Sequence, residues 1–195
     1  MDPSVAGGVR LGMWFERSRL LGRSLPEWAK YFGVYTDFSY QRLNFAQQGH
    51  GNAGQTSFFY SEGTAATWSF MFAGRYGFLP DREVPFGRLQ PYAAVGPGVL
   101  FASQNPTFRV TPPGGVQDSF EPGSQSTAVV CLTVDAGVRY MLLRNVSIDV
   151  FFKYRRAQPS FSYNIVDPHN GLRSSVTLSP TFNLFSANVG VGLHF

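Results

Sequence analysis

Few residues of this chain carry the chemistry for catalysis or ligation: three histidines, one cysteine, and charged side chains at only 14% of 195 positions. His50 lies in Gly49-His50-Gly51 and His169 in Asp167-Pro168-His169-Asn170-Gly171, turn compositions in which a histidine reads as a solvated loop residue. His194 is next to last. The acids, the histidines and Cys131 show neither zinc nor EF-type calcium spacing, and there is no P-loop and no dinucleotide fingerprint, so no metal and no cofactor is expected. Gly96-Pro97-Gly98 is not a phosphate loop, because it sits inside a strand pattern with no helix after it. A single cysteine excludes an internal disulfide. The formal charge of +4 is modest and the basic residues form no run, so nucleic acid is not an expected partner. What remains is a scattered set of charges: Arg10, Asp37, Arg75, Asp135, Arg139, Asp149, Lys153 and Arg155. Their relation to one another depends on the elements that carry them.

Those elements read as strands. Apolar residues are 44% and aromatic residues 16% of the chain, and 21 Gly with 13 Pro favour turns over helices. No stretch reaches the roughly 18 apolar residues of a transmembrane helix. Over residues 128–142, Ala128, Val130, Leu132, Val134, Ala136, Val138, Tyr140 and Leu142 alternate with Cys131, Thr133, Asp135, Gly137 and Arg139. A strand sorts these onto two faces, whereas a helix would scatter them. The same alternation runs through residues 4–16, 31–45, 64–78, 89–102, 146–155 and 180–195, which predicts seven strands in one domain. Each is long enough to cross a bilayer at a tilt, which takes roughly 9–11 residues.

Alternation leaves open which face is wet. A soluble barrel is apolar inside, and a membrane barrel is apolar outside. Here the polar face is mostly Gly, Ser, Ala and Thr, which suits a narrow lumen better than a water-exposed surface. The apolar face is large and nearly free of charge on every segment. Aromatic residues collect near segment ends, as at Phe15, Phe32, Tyr76, Phe78, Phe101, Tyr140, Tyr154 and Phe195, where interfacial girdles want them. The expected fold is therefore an all-β, antiparallel, up-and-down transmembrane β-barrel. All eight charges named above share the inward parity.

The last eight residues, Asn188-Val-Gly-Val-Gly-Leu-His-Phe195, resemble the assembly signal of bacterial outer-membrane barrels, with Asn188, Gly190, Leu193 and Phe195 at its defined positions. That resemblance implies recognition by the barrel-assembly machinery during biogenesis. Leu89-Gln-Pro-Tyr-Ala-Ala-Val-Gly-Pro-Gly98 and the strand–turn–strand Gly137–Asp149 are similar to segments of the small outer-membrane protein A-like and opacity-type barrels. The likeness spans the chain and implies an eight-stranded barrel in the bacterial outer membrane, surrounded by its lipid. It specifies fold, not activity.

Seven strands depart from the even number of single-chain bacterial barrels. With the C-terminal strand ending in the periplasm, connections 79–88 and 143–145 fall inside and the longer loops 46–63, 103–126 and 162–179 outside. Residue 4 then lies at the outer rim. Met1-Asp2-Pro3-Ser4 runs straight into strand pattern with no signal peptide before it, so a first strand and a leader are expected upstream. The rival for an eighth strand is Thr56-Ser-Phe-Phe-Tyr-Ser61.

The hairpin at 143–145 yields a specific expectation. A three-residue turn, Leu143-Arg144-Asn145, with Asn145 left-handed, pairs 142 with 146 and keeps inward residues opposite one another. It sets Arg139 opposite Asp149 and Asp135 opposite Lys153, two salt bridges filling the lumen. The function expected is a non-enzymatic structural or surface-interaction protein with a lumen plugged by paired charges. Its protein partner would meet loop 103–126, with Phe108, Val110 and Phe120, or an open strand edge. The alternatives are a narrow porin-like channel and a membrane lipid-modifying hydrolase. The hydrolase would need Ser, His and a carboxylate together on an outward face, and no such set is found.

Overall fold

The computed structural model describes residues 6–15, 19–20, 23–43, 45–52, 55–111, 118–166 and 173–195. These form β1 (Ala6–Trp14), β2 (Arg19–Leu20), β3 (Arg23–Ser24), β4 (Phe32–Arg42), β5 (Phe45–Asn52), β6 (Gln55–Arg75), β7 (Leu89–Thr111), β8 (Asp118–Phe120), β9 (Gln125–Leu143), β10 (Val146–Ala157), β11 (Phe161–Val166), β12 (Arg173–Leu178) and β13 (Phe182–Leu193), with one 3₁₀ turn over Glu27–Tyr31. Seven strands pair in the order β1-β4-β6-β7-β9-β10-β13, every neighbour antiparallel. This up-and-down sheet curls into a half-barrel with β1 and β13 at its two edges. Each of the seven contains the core of one of the segments expected from alternation.

The strands run further at one end than alternation indicated. β6 begins at Gln55 and β7 continues to Thr111, so the expected loops 46–63, 103–126 and 162–179 are largely hairpin: β5 on β6, β8 on β7, and β11 on β12. Beyond the sheet's apolar band the side chains have no reason to sort by face, whereas backbone pairing needs only a partner strand. Thr56–Ser61 is accordingly the outer part of β6, paired with β5 on one side and β7 on the other, and is not an additional wall strand. The side chains of the expected contact residues Phe108, Val110 and Phe120 lie outside the described part of the structure, as do residues 112–117 of that loop and His169.

The opposite end carries short connections. In the turn between β6 and β7, one Asp81 carboxylate oxygen accepts the backbone N–H of Glu83 at 2.9 Å and of Val84 at 2.7 Å. Gly87 adopts φ +122°, where a side chain is strained. Arg88 bonds Asp81, reaches Glu83 at 2.7 Å, and donates to the Leu142 carbonyl at 2.9 Å, which ties this turn to the β9–β10 hairpin. The β9–β10 turn corrects the expectation. It has two residues, Arg144 and Asn145, with Leu143 opposite Val146, followed by a register shift that sets Met141 opposite Ser147. Asn145 is not left-handed; among the described non-glycine residues Leu79 alone has positive φ. A two-residue turn by itself would bring inward residues opposite outward ones. The one-residue bulge restores the match, and Arg139 faces Asp149 while Asp135 faces Lys153.

Candidate functional site: the filled interior

Side-chain placement follows the pleat. On β4, β6, β9 and β10 the odd-numbered residues face the concave side, and on β7 the even-numbered ones do. Arg10 and Asn188 place the even residues of β1 and β13 on that side as well, through Arg10's bonds to Asp37 and the pairing of Asn188 with Phe151. The polar set is inside. Asp37, Asp135, Lys153 and Arg155 are each at most 5% exposed. The apolar set is outside: Leu11 is 75% exposed, Phe72 68%, Phe152 69% and Val191 76%.

At mid-height Arg10 is the hub. Its Nε donates to Asp37 Oδ2 at 2.9 Å, its Nη2 to Asp135 Oδ2 at 2.7 Å and its Nη1 to the Tyr92 hydroxyl at 3.0 Å. Its guanidinium lies 3.6 Å from the centroid of the Phe151 ring. Tyr35 donates its hydroxyl to the same Asp135 oxygen at 2.7 Å. Lys153 Nζ meets Asp37 Oδ1 at 2.5 Å, and Arg155 Nη2 stands 3.7 Å from that oxygen while bonding Ser39 and Gln41. One carboxylate thus serves three cations from two other strands. Towards the short-turn end, Arg139 grips Asp149 with two bonds of 2.8 and 3.0 Å, a bidentate fork. Arg75 donates to Gln90 at 2.8 Å and lies 4.1 Å from the Trp14 ring and 4.3 Å from Phe86. His194 and Ser147 share a hydrogen bond of 2.9 Å. Ser147 is fully buried and His194 partly so.

The expected Arg139–Asp149 pair is present. The Asp135–Lys153 pair is not. The two residues are opposite in register, but Lys153 reaches across the interior to β4, while Arg10 and Tyr35 occupy the Asp135 oxygen. Directly opposed positions set only Cβ proximity; in a curled sheet, long side chains find partners across the concave interior. The aromatic participants Tyr35, Tyr92, Trp14 and Phe151 all carry the inward parity, so their signal was in the sequence. A second inner layer went unrecognised. At the hairpin end Leu43, Leu100, Cys131, Phe161, Tyr163, Phe182 and Leu184 form a buried apolar cluster above the charges. Leu100 and Cys131 are inward by parity, yet apolar residues on a nominally polar face are invisible to a search for charge.

Of the terminal motif, Asn188 is half-buried and hydrogen-bonds the Ser186 hydroxyl at 3.0 Å, Gly190 lies opposite Asp149, and Leu193 and Phe195 are exposed on the outer side. Among the described residues no group of three or more His, Cys, Asp or Glu side chains is placed to hold a metal ion. No family model, curated protein or solved structure matches the chain.

Proposed function

We propose that this chain builds the wall of a closed, membrane-spanning β-barrel of the bacterial outer-membrane type, a non-enzymatic protein with a blocked interior and outer hairpins that meet its surroundings. The observation that carries the reading is the inverted polarity. Large apolar side chains cover the convex face of all seven wall strands, and the charges lie within. In water such a continuous apolar surface would be an aggregation hazard, whereas in a bilayer it is the surface the solvent demands. Buried charges are tolerated because each is paired or hydrogen-bonded.

In this reading β5–β6, β7–β8 and β11–β12 project from the outer surface, the turns at 76–88 and 144–145 lie in the periplasm, and the motif ending at Phe195 is read during assembly, as its resemblance implies. Two layers support a closed interior, the ion-pair network and the apolar cluster above it. Planar-bilayer recording of refolded protein tests this. A silent bilayer is expected; discrete, reproducible conductance steps would favour a narrow channel and contradict the closed interior.

A further inference from the structure

The outward positions of the wall strands carry few charges, and these are one-sided. Arg42 ends the outward column of β4, Glu62 and Arg109 stand on β6 and β7, and Arg156 ends the column of β10. All lie towards the hairpin end, and only Glu62 among them is an acid. From there to the short-turn end, the described outward positions of the seven strands bear no charge. Arg42 is engaged within the chain, and Arg109 lies 5.5 Å from the centroid of the Tyr60 ring. Arg156 differs. It is exposed, with no hydrogen-bond or ion-pair partner among the described residues. Its outward neighbours Leu132, opposite on β9, Tyr154, before it on β10, and Phe185, diagonal on β13, are apolar or aromatic. Its register partner on β13 is Asn183. Tyr154 donates its hydroxyl to Asn183 Oδ1 at 2.8 Å, which leaves the Asn183 Nδ2 group to donate elsewhere. A guanidinium and an amide donor thus stand side by side at the upper margin of an apolar face, and no described acceptor bonds either.

We propose that Arg156 and Asn183 hold the phosphate of an anionic lipid headgroup whose acyl chains lie along Leu132, Tyr154 and Phe185. The inference rests on the membrane reading, to which it adds a headgroup charge and a place. Guanidinium recognises phosphate by charge and by its fork of donors, and an interfacial cation draws anionic lipid to itself. A zwitterionic headgroup fits less well, because the site offers donors only and nothing to receive an ammonium. A lipid fits better than a free phosphate, because the exposed apolar column starts directly beside the donors.

The test offers the full chain, refolded in an uncharged detergent, equimolar phosphatidylglycerol and phosphatidylcholine with the same acyl chains. Native mass spectrometry counts each lipid retained. The expected result is a preference for phosphatidylglycerol of about fivefold, the preference that one interfacial cation gives. Arg156→Gln should remove it, Arg156→Lys should keep most of it, and Asn183→Ala should weaken it. Arg144→Gln removes the same charge from the exposed turn at the opposite end and should leave the preference unchanged. If Arg156→Gln folds poorly, the contrast between Asn183→Ala and Arg144→Gln decides the question in its place. Equal retention of the two lipids, an equal loss in Arg144→Gln, or displacement of the lipid by millimolar inorganic phosphate would overturn the proposal. Quenching of Trp68 by brominated acyl chains without any headgroup preference removes this proposal alone; absence of that quenching removes the reading beneath it.

Discussion

At the scale of single residues, the Arg139–Asp149 fork is the most direct probe of the interior. Asp149→Ala leaves a guanidinium without its carboxylate and should destabilise by about 3 kcal/mol in reversible urea unfolding. The double variant Asp149→Ala/Arg139→Ala should lose less than the single one, because no unpaired charge remains. A double variant worse than the single would show that the pair is not a mutually satisfied unit. Gly96 is a second sensitive position. A Cβ there would stand 1.8 Å from the Phe70 carbonyl oxygen on β6, so Gly96→Ala must push two paired strands apart and should lower the unfolding midpoint. In the turn between β6 and β7, the amides of Val84 and Glu83, together with Arg88, hold the Asp81 carboxyl below its ordinary pKa. A group with a depressed folded pKa stabilises above its unfolded value, and that contribution disappears as pH falls through the folded one. The Val84 amide resonance should therefore titrate with a midpoint below about 3.9, the ordinary aspartate value. A midpoint at or above it would contradict the hydrogen-bonded turn.

At the scale of strands, the outward faces of β9 and β10 make the membrane assignment testable. Val134 and Val150 are outward, and placing Arg at either should cost about 2–4 kcal/mol in a bilayer, as midplane charges do. A neutral Val150→Arg in lipid vesicles would contradict the proposal. On β13, Phe195→Ser should lower the amount of assembled protein in the membranes of expressing cells, and undiminished levels would count against its role in assembly. The strands themselves were legible because a period of two leaves no other assignment for runs such as Ala128–Leu142. Which face turns inward was legible because Arg10, Asp37 and Asp135 share it. The extent of the hairpins was not, since outside a layer of uniform polarity residues such as Gln104 and Asn105 carry no facial signal. The turn at Arg144-Asn145 shows a related limit. Parity fixed the register of Asp149 and Arg139 beyond the turn, yet a bulge and a longer loop satisfy the same parity, and sequence does not choose between them.

At the scale of the whole molecule, the partners of long side chains are set by curvature, which no local pattern encodes. Lys153 finds Asp37 on β4 only because the sheet brings β10 and β4 to face each other across the interior. The same curvature buries Phe161 and Phe182 together with Leu43, Leu100 and Cys131 in one apolar cluster. The proposed membrane-spanning barrel requires its convex face to contact lipid. Trp68 reports on it directly, being outward on β6 and 47% exposed, whereas Trp14 is inward beside Arg75 and Trp28 lies in the Glu27–Tyr31 turn. A chain carrying Trp14→Phe and Trp28→Phe, reconstituted into vesicles, should have its remaining tryptophan fluorescence strongly quenched by lipids brominated on their acyl chains and little affected by aqueous acrylamide. Quenching by acrylamide with none from brominated lipid would place the apolar face in water and contradict the account.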